Sequence, residues 1–421
     1  MSYLPLDQMT LRDGPQLDAF GRLRVSDPVP LFASSQEYNF HPRVWDHYTV
    51  SGGTAVHSIS TNSSVLRTNA ATSGARAIRQ TKIYYRYYPG KSHLVKMTGT
   101  LRKGSVPSGA AFGAIGYNDD DNGVSFRDTA SGVKIVKRSN TSGSVVEVTV
   151  AQSAWNLDKL DGTGSSGITA DWTKEQIFIF DMQWLGVGRV RYGIYTDGKL
   201  IYVHELMNAN RFTAVYMRTA CLPLRYEVFN SGGAGSDVAV EAICAAIESE
   251  GGVTEADHYP FAYNAYLSSP VSLDTTLRPI VTRRLRSSFN GVVPRGHAHL
   301  VSFQLNVGGN NVYWEVRYNP TVTLGGGGSI VTTDVDTTNS MSEYDTFVGA
   351  NNTVTGGVVM YNGFGSSGSG SAKAVSGRQT GESLLMLGST YAGVRDTYVL
   401  CARAMTGTAN LSVSVELAEQ Y

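Results

Sequence analysis

The chain has 421 residues, which is more than one hydrophobic core usually serves, so two domains are expected. Its 35 basic and 35 acidic residues give a formal net charge of zero, which argues against a general nucleic-acid binder and against a polybasic membrane-binding protein. A hydrophobic fraction of 42% is enough for packed cores, and this excludes a wholly disordered chain.

The amino-terminal stretch shows no helix or strand periodicity. Residues 1–45 mix Leu, Pro and Asp without a period, and five prolines are spread through them. This composition predicts an extended arm that is ordered only by what it lies against. The first residues lack the basic start and apolar run of a secretion signal, and no stretch approaches the roughly 18 apolar residues of a membrane span. Synthesis in a cytoplasm and no membrane partner are therefore expected.

Strand signals dominate the rest of the chain. Short runs rich in Val, Ile, Phe and Tyr alternate or are continuously apolar, and they cover residues 132–138, 144–150, 176–182, 299–307, 312–318 and 410–416. Asp197-Gly198 supplies the two positive-φ positions of a tight hairpin turn between two further runs. Only residues 238–249 contain enough Ala and Glu to compete as a helix. The pattern predicts an all-β fold of β-sandwich or jelly-roll-like domains.

A break in composition marks the expected domain boundary, because Gly-Gly, prolines and unpatterned tyrosines follow one another over 249–280. The predicted organisation is an extended arm over 1–45, a first β-sandwich domain over 46–250, a linker over 251–280 and a second β-sandwich domain over 281–421. Gly/Ser-rich loops are expected in the second domain at 325–329 and 363–371.

Cysteines and histidines are the residues of this chain that could bind a transition metal. Cys221, Cys244 and Cys401 are far apart and predict buried free thiols, with neither a disulfide framework nor a cysteine zinc site. His297 and His299 lie two residues apart, so an extended strand places both imidazoles on one face. Three copies around a three-fold axis would then supply six nitrogens to a transition metal. The alternative is two solvent-facing histidines, and no other cofactor is expected.

Catalytic motifs are absent from the sequence, which contains neither a G-x-S-x-G elbow nor an H-E-x-x-H pair. The chain is therefore expected not to be an enzyme, and no catalytic residue is assigned. Asp158 and Asp171 are nonetheless candidates for a carboxylate pair around a glycosidic bond, and Trp155 and Trp172 are candidates for a sugar-stacking platform. The alternatives are solvated carboxylates in turns and buried core aromatics.

A longer segment carries a family resemblance. LDAFGRLRVSDPVPLFASSQ at 17–36 resembles the start of a family of tailed-bacteriophage virion structural proteins, in which a stretch like D-A-F-G-R-L-R-V-S is followed by Pro and Leu-Phe. Residues 87–101, 155–193 and 204–228 resemble the same family, so the resemblance covers about residues 17–250. It implies a structural component of the head, neck, tail or fibre, assembled in the host cytoplasm and resident in the virion.

The arm is the expected docking element. Its apolar anchors are Phe20, Leu23 and Val25, and Arg22 and Arg24 alternate to the opposite side in an extended segment. The alternative is that the arm folds back on its own domain.

The expected partners are copies of the chain, in a symmetric trimer, and other virion proteins, with the second domain projecting outward. Two other functions stay open at the sequence level. One is a receptor-binding module for a host surface glycan, and the other is a glycan depolymerase.

Overall fold

The computed structural model describes residues 17–18, 20, 28–69, 71–232, 237–252, 259–266, 268–327, 329–347, 351–367, 371–373 and 386–420. Antiparallel strands form almost all of the regular structure in these ranges, so the all-β prediction is confirmed. The short helical element among them is a single 3-10 turn at Gln152–Ala154. No helix in the described ranges is long and apolar enough to cross a membrane.

Internal contacts divide the chain into two units. The first comprises Met1–Thr81 and Tyr87–Thr254, and the second comprises Lys82–Arg86 and Glu255–Tyr421. Fifteen strands of the first unit are β1 (Val29–Ser34), β2 (Trp45–Val50), β3 (Thr54–Ser58), β4 (Ser63–Arg67), β5 (Ala75–Thr81), β6 (Ser92–Thr100), β7 (Ala111–Asn118), β8 (Gly123–Thr129), β9 (Gly132–Ser139), β10 (Val146–Ala151), β11 (Gln176–Met182), β12 (Val190–Thr196), β13 (Lys199–Leu206), β14 (Leu224–Asn230) and β15 (Ala239–Glu250).

The first unit is a sandwich of two sheets. An eight-stranded sheet has the order β13-β12-β11-β6-β15-β4-β3, with β1 also paired to β15, and a seven-stranded sheet has the order β10-β9-β8-β7-β14-β5-β2. Alternate side chains point inward, so Phe178 and Phe180 of β11 meet Phe126 of β8 with ring centroids 5.2 and 5.7 Å apart. Buried aromatic rings from both sheets therefore form the core.

The predicted strands of this unit are observed. The runs at 132–138, 144–150 and 176–182 form β9, β10 and β11. The turn residues Asp197 and Gly198 have φ values of 50° and 73° and connect β12 to β13 as a hairpin. The stretch that competes as a helix is strand β15, which pairs with β6 on one side and with β4 and β1 on the other.

Residues 28–45, which the sequence assigns to the arm, pack on the first sandwich. Strand β1 pairs with β15, and Gln36 Nε2 donates hydrogen bonds of 2.7 Å to the carbonyls of Ala242 and Ile243. Trp45 is fully buried and packs at a ring-centroid distance of 5.8 Å from Phe32. The chain from residue 28 onward is thus part of the sandwich, because it pairs with the sheet and contributes to the core.

The second unit is also a sandwich. Its strands are β16 (Tyr259–Ala265), β17 (Val271–Leu273), β18 (Arg278–Leu285), β19 (His297–Gly309), β20 (Val312–Tyr318), β21 (Thr321–Thr323), β22 (Thr333–Asp334), β23 (Ser342–Thr346), β24 (Thr353–Thr355), β25 (Val358–Gly365), β26 (Ser371–Lys373), β27 (Thr397–Ala404) and β28 (Ala409–Gln420). A five-stranded and a six-stranded sheet face each other, and Phe303 of the one meets Trp314 of the other at 4.7 Å.

Two features of this unit differ in detail from the predicted organisation. Strands β16 and β17 lie within 251–280, the stretch expected to be a linker, and both pair with β28. The Gly/Ser-rich stretch 363–371 includes the end of β25 and the first residue of β26. Glycine-rich composition therefore did not exclude strand pairing at these positions.

Candidate functional site

The outer face of the eight-stranded sheet holds a buried polar cluster. Asp181 of β11 alternates with the core-facing Phe180, so its side chain points away from the core, and Arg191 lies directly opposite on β12. The Asp181 carboxylate accepts hydrogen bonds of 2.5 Å from Arg191 Nη2 and from the Tyr202 hydroxyl. The Arg191 guanidinium carbon lies 4.2 Å from the centre of the Tyr202 ring. We call Asp181, Arg191 and Tyr202 the anchor cluster.

The anchor cluster holds the start of the D-A-F-G motif. Arg191 Nη2 donates a 2.8 Å hydrogen bond to the Leu17 carbonyl, and Arg189 Nη2 lies 3.4 Å from the Asp18 carbonyl. Leu17 and Asp18 are both buried. Half-buried Phe20 donates its amide hydrogen to Asp18 Oδ1 at 2.9 Å. The described part of the motif is therefore packed on the chain's own sheet.

The structure does not describe four of the residues proposed for arm docking. Arg22, Leu23, Arg24 and Val25 lie outside the described residues, so their part in docking stays a prediction.

An apolar groove of about 840 Å³ lies on the same sheet face, next to the anchor cluster. Leu94 and Ile179 are buried in it, and Ile177 and Leu200 are half-buried. Tyr202 belongs to the same apolar cluster and to the anchor cluster, so the two features are continuous. A sheet face that looks away from the core is normally polar, and an apolar one indicates a surface that another segment covers.

Two lysines lie on the rim of the groove. Lys96 and Lys199 line the groove, and Lys96 forms an ion pair with Glu248 at 2.8 Å. Tyr195, also on the rim, is 44% exposed. Together the rim and floor are suited to an extended apolar segment, whose backbone and side chains would lie along the sheet.

The proposed sugar platform is buried. Trp155 and Trp172 are only 3% and 6% exposed, and their ring centroids lie 6.1 Å apart in an edge contact. Both rings pack around Phe126, and Trp172 Nε1 donates a 3.2 Å hydrogen bond to Gln152 Oε1. These tryptophans are core aromatics, and neither leaves a free ring face for a sugar.

The two candidate carboxylates shape turns. Asp158 is buried and accepts hydrogen bonds from the amides of Leu160, at 2.9 Å, and Ser166, at 2.7 Å. Asp171 is exposed, and hydrogen bonds from the Thr173 hydroxyl and amide lower the pKa of its carboxyl. Each carboxylate is thus engaged by its own loop, although Asp158 is buried and only Asp171 is solvated.

The candidate histidine pair lies on β19 with its rings on one side of the strand, 6.2 Å apart and perpendicular. His297 is buried, and its Nε2 lies 2.8 Å from the Tyr84 carbonyl, so one nitrogen is used within the unit. Among the residues the structure describes, no group of three or more His, Cys, Asp or Glu side chains is arranged to hold a metal. The shared site with His299 on a three-fold axis stays a prediction.

The cysteines only partly follow expectation. All three are free, but Cys401 alone is buried, while Cys221 is half-buried and Cys244 is exposed. Burial of the thiol raises the pKa of Cys401 to about 12.

The anchor cluster was not among the residues singled out from the sequence. A signal was present, because Asp181 and Arg191 are charged residues inside strongly apolar strand patterns. Such residues are rarely buried unless they are paired.

Comparison with known proteins gives similarity in fold alone. No protein-family model and no curated protein matches the chain. Similar solved structures include a legume lectin-like domain from Entamoeba histolytica, with 9% identity and a TM-score of 0.31 over 53% of this chain and 98% of that one. Another is lectin I-B4 from Griffonia simplicifolia, with 12% identity and a TM-score of 0.33 over 53% and 99%. A third is a carbohydrate esterase from the Shiga toxin-encoding bacteriophage phi24B, with 11% identity and a TM-score of 0.28 over 53% and 99%. At these values the similarity says nothing about what this chain binds.

Proposed function

We propose that this chain is a structural subunit of a tailed-bacteriophage virion, built into the particle as a symmetric oligomer through its amino-terminal segment and its first unit. The observation that carries the proposal is the anchoring of the D-A-F-G motif. Leu17 and Asp18 are buried on the outer sheet face by hydrogen bonds from Arg191 and Arg189. Within the described residues, the start of the segment that resembles the virion family is thus bound directly by the sandwich.

The anchor cluster explains why this attachment would be firm. A buried guanidinium and carboxylate are costly unless their hydrogen-bonding groups are satisfied, and the Leu17 carbonyl is one of the acceptors that satisfies Arg191. Releasing Leu17 would leave an Arg191 donor without this partner. Leu17 is therefore held at a fixed point on the sheet, on the same face as the groove.

In this proposal the groove receives residues 1–16 of a neighbouring copy. This segment carries Leu4, Leu6 and Leu11, which match the apolar floor, and Asp7, which complements the lysines on the rim. Sixteen extended residues span about 50 Å, which is long enough to reach another subunit. An exchanged segment adds many apolar contacts at a modest cost in closure entropy, which suits a particle that must persist outside the cell.

Incorporation into particles tests the proposal. Deletion of residues 1–16 keeps Leu17, β1 and the core, so a folded protein is expected that no longer enters particles of the phage that encodes it. Tyr38→Ala, at an exposed position of the same unit, is the matched control and is expected to incorporate normally. Normal incorporation of the deletion variant, or absence of the full-length chain from purified particles, would refute the proposal.

Cysteine cross-linking tests the groove. Leu6→Cys and Leu200→Cys, combined with Cys221→Ser and Cys244→Ser, are expected to form disulfides between chains, seen without reductant as species of two or more chain masses. A disulfide within one chain would show that the segment folds back on its own domain, and would refute the exchange.

Glycan binding and glycan cleavage stay predictions without geometric support. The tryptophans proposed for stacking are buried, and both candidate carboxylates are held in turns.

A further inference from the structure

Strand β10 is an open edge of the first unit. It is the last strand of the seven-stranded sheet, and within the described ranges it pairs with β9 alone. Five of its six residues are exposed. An edge strand of this kind presents a row of backbone amides and carbonyls to any strand that approaches.

The usual protections of an edge strand are missing from β10. Its sequence, VEVTVA, contains no proline, glycine or lysine, and its register with β9 runs without a bulge. The single charge, Glu147, is already bound by Arg127 at 2.7 and 2.8 Å and by Arg138 at 2.9 Å. Burial raises the pKa of Glu147, but the hydrogen bonds and charges of these arginines outweigh it and lower the pKa to about 2.

The side chains of β10 extend the open edge into an apolar patch. Val146 and Val148 are 53% and 45% exposed. Val148 lies directly opposite Lys137 of β9, and both side chains point to the core-facing side of the sheet. Because Val148 is nevertheless exposed, the other sheet does not cover this end of the sandwich. The Lys137 ammonium lies 5.0 Å from the ring centre of Phe212, which is itself exposed.

We propose that β10 pairs antiparallel with β10 of a second copy across a two-fold axis, joining two seven-stranded sheets into one. This inference deepens the proposed function, because it names one contact between copies, and it rests on that function for its place in the particle. The partner is a second copy because VEVTVA is complementary to itself. An axis at Val146 or Val148 sets Glu147 opposite Val145 or Thr149 of the partner subunit, and a valine faces its own copy at the axis.

Other arrangements of the same edge are less favourable. Parallel pairing in register, or an axis at Glu147, would set two carboxylates opposite each other, and like charges in that position are destabilising. The zero net charge of the chain removes any overall repulsion between copies. The smallest closed assembly that combines this two-fold contact with a trimer is a hexamer with D3 symmetry, so the mass of the oligomer in solution should be an even multiple of the chain mass.

The mass of the purified full-length chain in solution tests the pairing. Light scattering after size exclusion is expected to give an even multiple of the chain mass, and Val148→Lys or Val146→Lys is expected to halve it, because a lysine on the edge opposes pairing. Val56→Lys is the matched control, since Val56 is 63% exposed on β3, the edge strand of the other sheet. Circular dichroism establishes that each variant is folded.

Cross-linking then identifies the axis. In a Cys221→Ser, Cys244→Ser background, Val146→Cys or Val148→Cys is expected to form a disulfide between chains, and the position that reacts marks the axis. A monomeric full-length chain, or an unchanged mass for both folded lysine variants, would overturn the pairing and leave the virion proposal standing. Absence of the chain from phage particles would overturn the virion proposal and leave the β10 pairing in solution standing.

Discussion

Replacing Arg191 by methionine is expected to destabilise the first unit, because it leaves the Asp181 carboxylate buried without its positive partner. The two side chains are 1% and 0% exposed and lie 2.5 Å apart. Breaking such a buried pair by removing one member costs about 3–5 kcal/mol. The Tyr202 hydroxyl still donates to the carboxylate, which places the expected loss near the lower end, at about 3 kcal/mol.

The double variant Asp181→Leu with Arg191→Met is the control for this reasoning. It removes both charges and leaves apolar side chains of similar volume, so it is expected to be more stable than the single variant by about 2 kcal/mol or more. If the double variant lost as much as the single one, the loss would come from packing and not from an unpaired buried charge.

Urea unfolding followed by tryptophan fluorescence measures this loss well. Four of the five tryptophans, Trp45, Trp155, Trp172 and Trp184, belong to the first unit. A loss below about 1 kcal/mol for Arg191→Met would refute the reasoning. The same variant also loses the hydrogen bond to Leu17, so trypsin is expected to cut after Arg24 several-fold faster than in the unchanged chain.

Three further outcomes follow from the structure. Burial, with the nearby guanidinium of β5, lowers the pKa of His47 to about 3. The folded state is therefore most stable above pH 6.5, the pKa of an unfolded histidine, and at pH 5 the free energy of unfolding should be lower by about 2 kcal/mol. Urea unfolding of a His47→Phe variant should lack this pH-dependent loss. Trp45→Ala removes a buried ring and is expected to lower the free energy of unfolding by about 3–5 kcal/mol, whereas Tyr38→Ala, at an exposed position, should change it by less than about 0.5 kcal/mol. Equal urea midpoints for the two variants would contradict the assignment of 28–45 to the sandwich. Gly123→Ala should lower the free energy of unfolding by at least about 3 kcal/mol, because a Cβ would lie 2.2 Å from a neighbouring side chain at a φ of 133°. Gly198→Ala has open space around it and should lower the free energy of unfolding by about 1 kcal/mol. Similar melting temperatures for the two variants would contradict this.

Local patterns predicted the strands well but not their pairing. The run at 176–182 was recognisable as a strand because Ile and Phe recur through it, and the turn at Asp197-Gly198 follows from its positive φ angles. One neighbour of this strand, β12, follows it in the chain, but the other, β6, lies about eighty residues earlier and was not predictable. Pairing over such separations depends on the whole core and leaves little local signal.

For the candidate site, too, local patterns indicated a segment but not the residues that it contacts. The D-A-F-G motif begins at Asp18, and Asp18 and the preceding Leu17 both receive hydrogen bonds from arginines of β12 or its start. Its binding partners, Asp181 and Arg191, were missed because one charged residue in an apolar strand does not show which face of the sheet it occupies. The tryptophans were ambiguous for a different reason, because the same large aromatic side chain serves both buried cores and exposed binding surfaces.

Cryo-electron microscopy of the intact phage particle tests the central claim most directly. The account expects symmetric copies of this β-sandwich on the particle, with residues 1–16 of each copy lying in the groove at Leu200 of its neighbour. A particle that lacks the chain, or copies in which residues 1–16 do not lie in the groove of a neighbour, would contradict it.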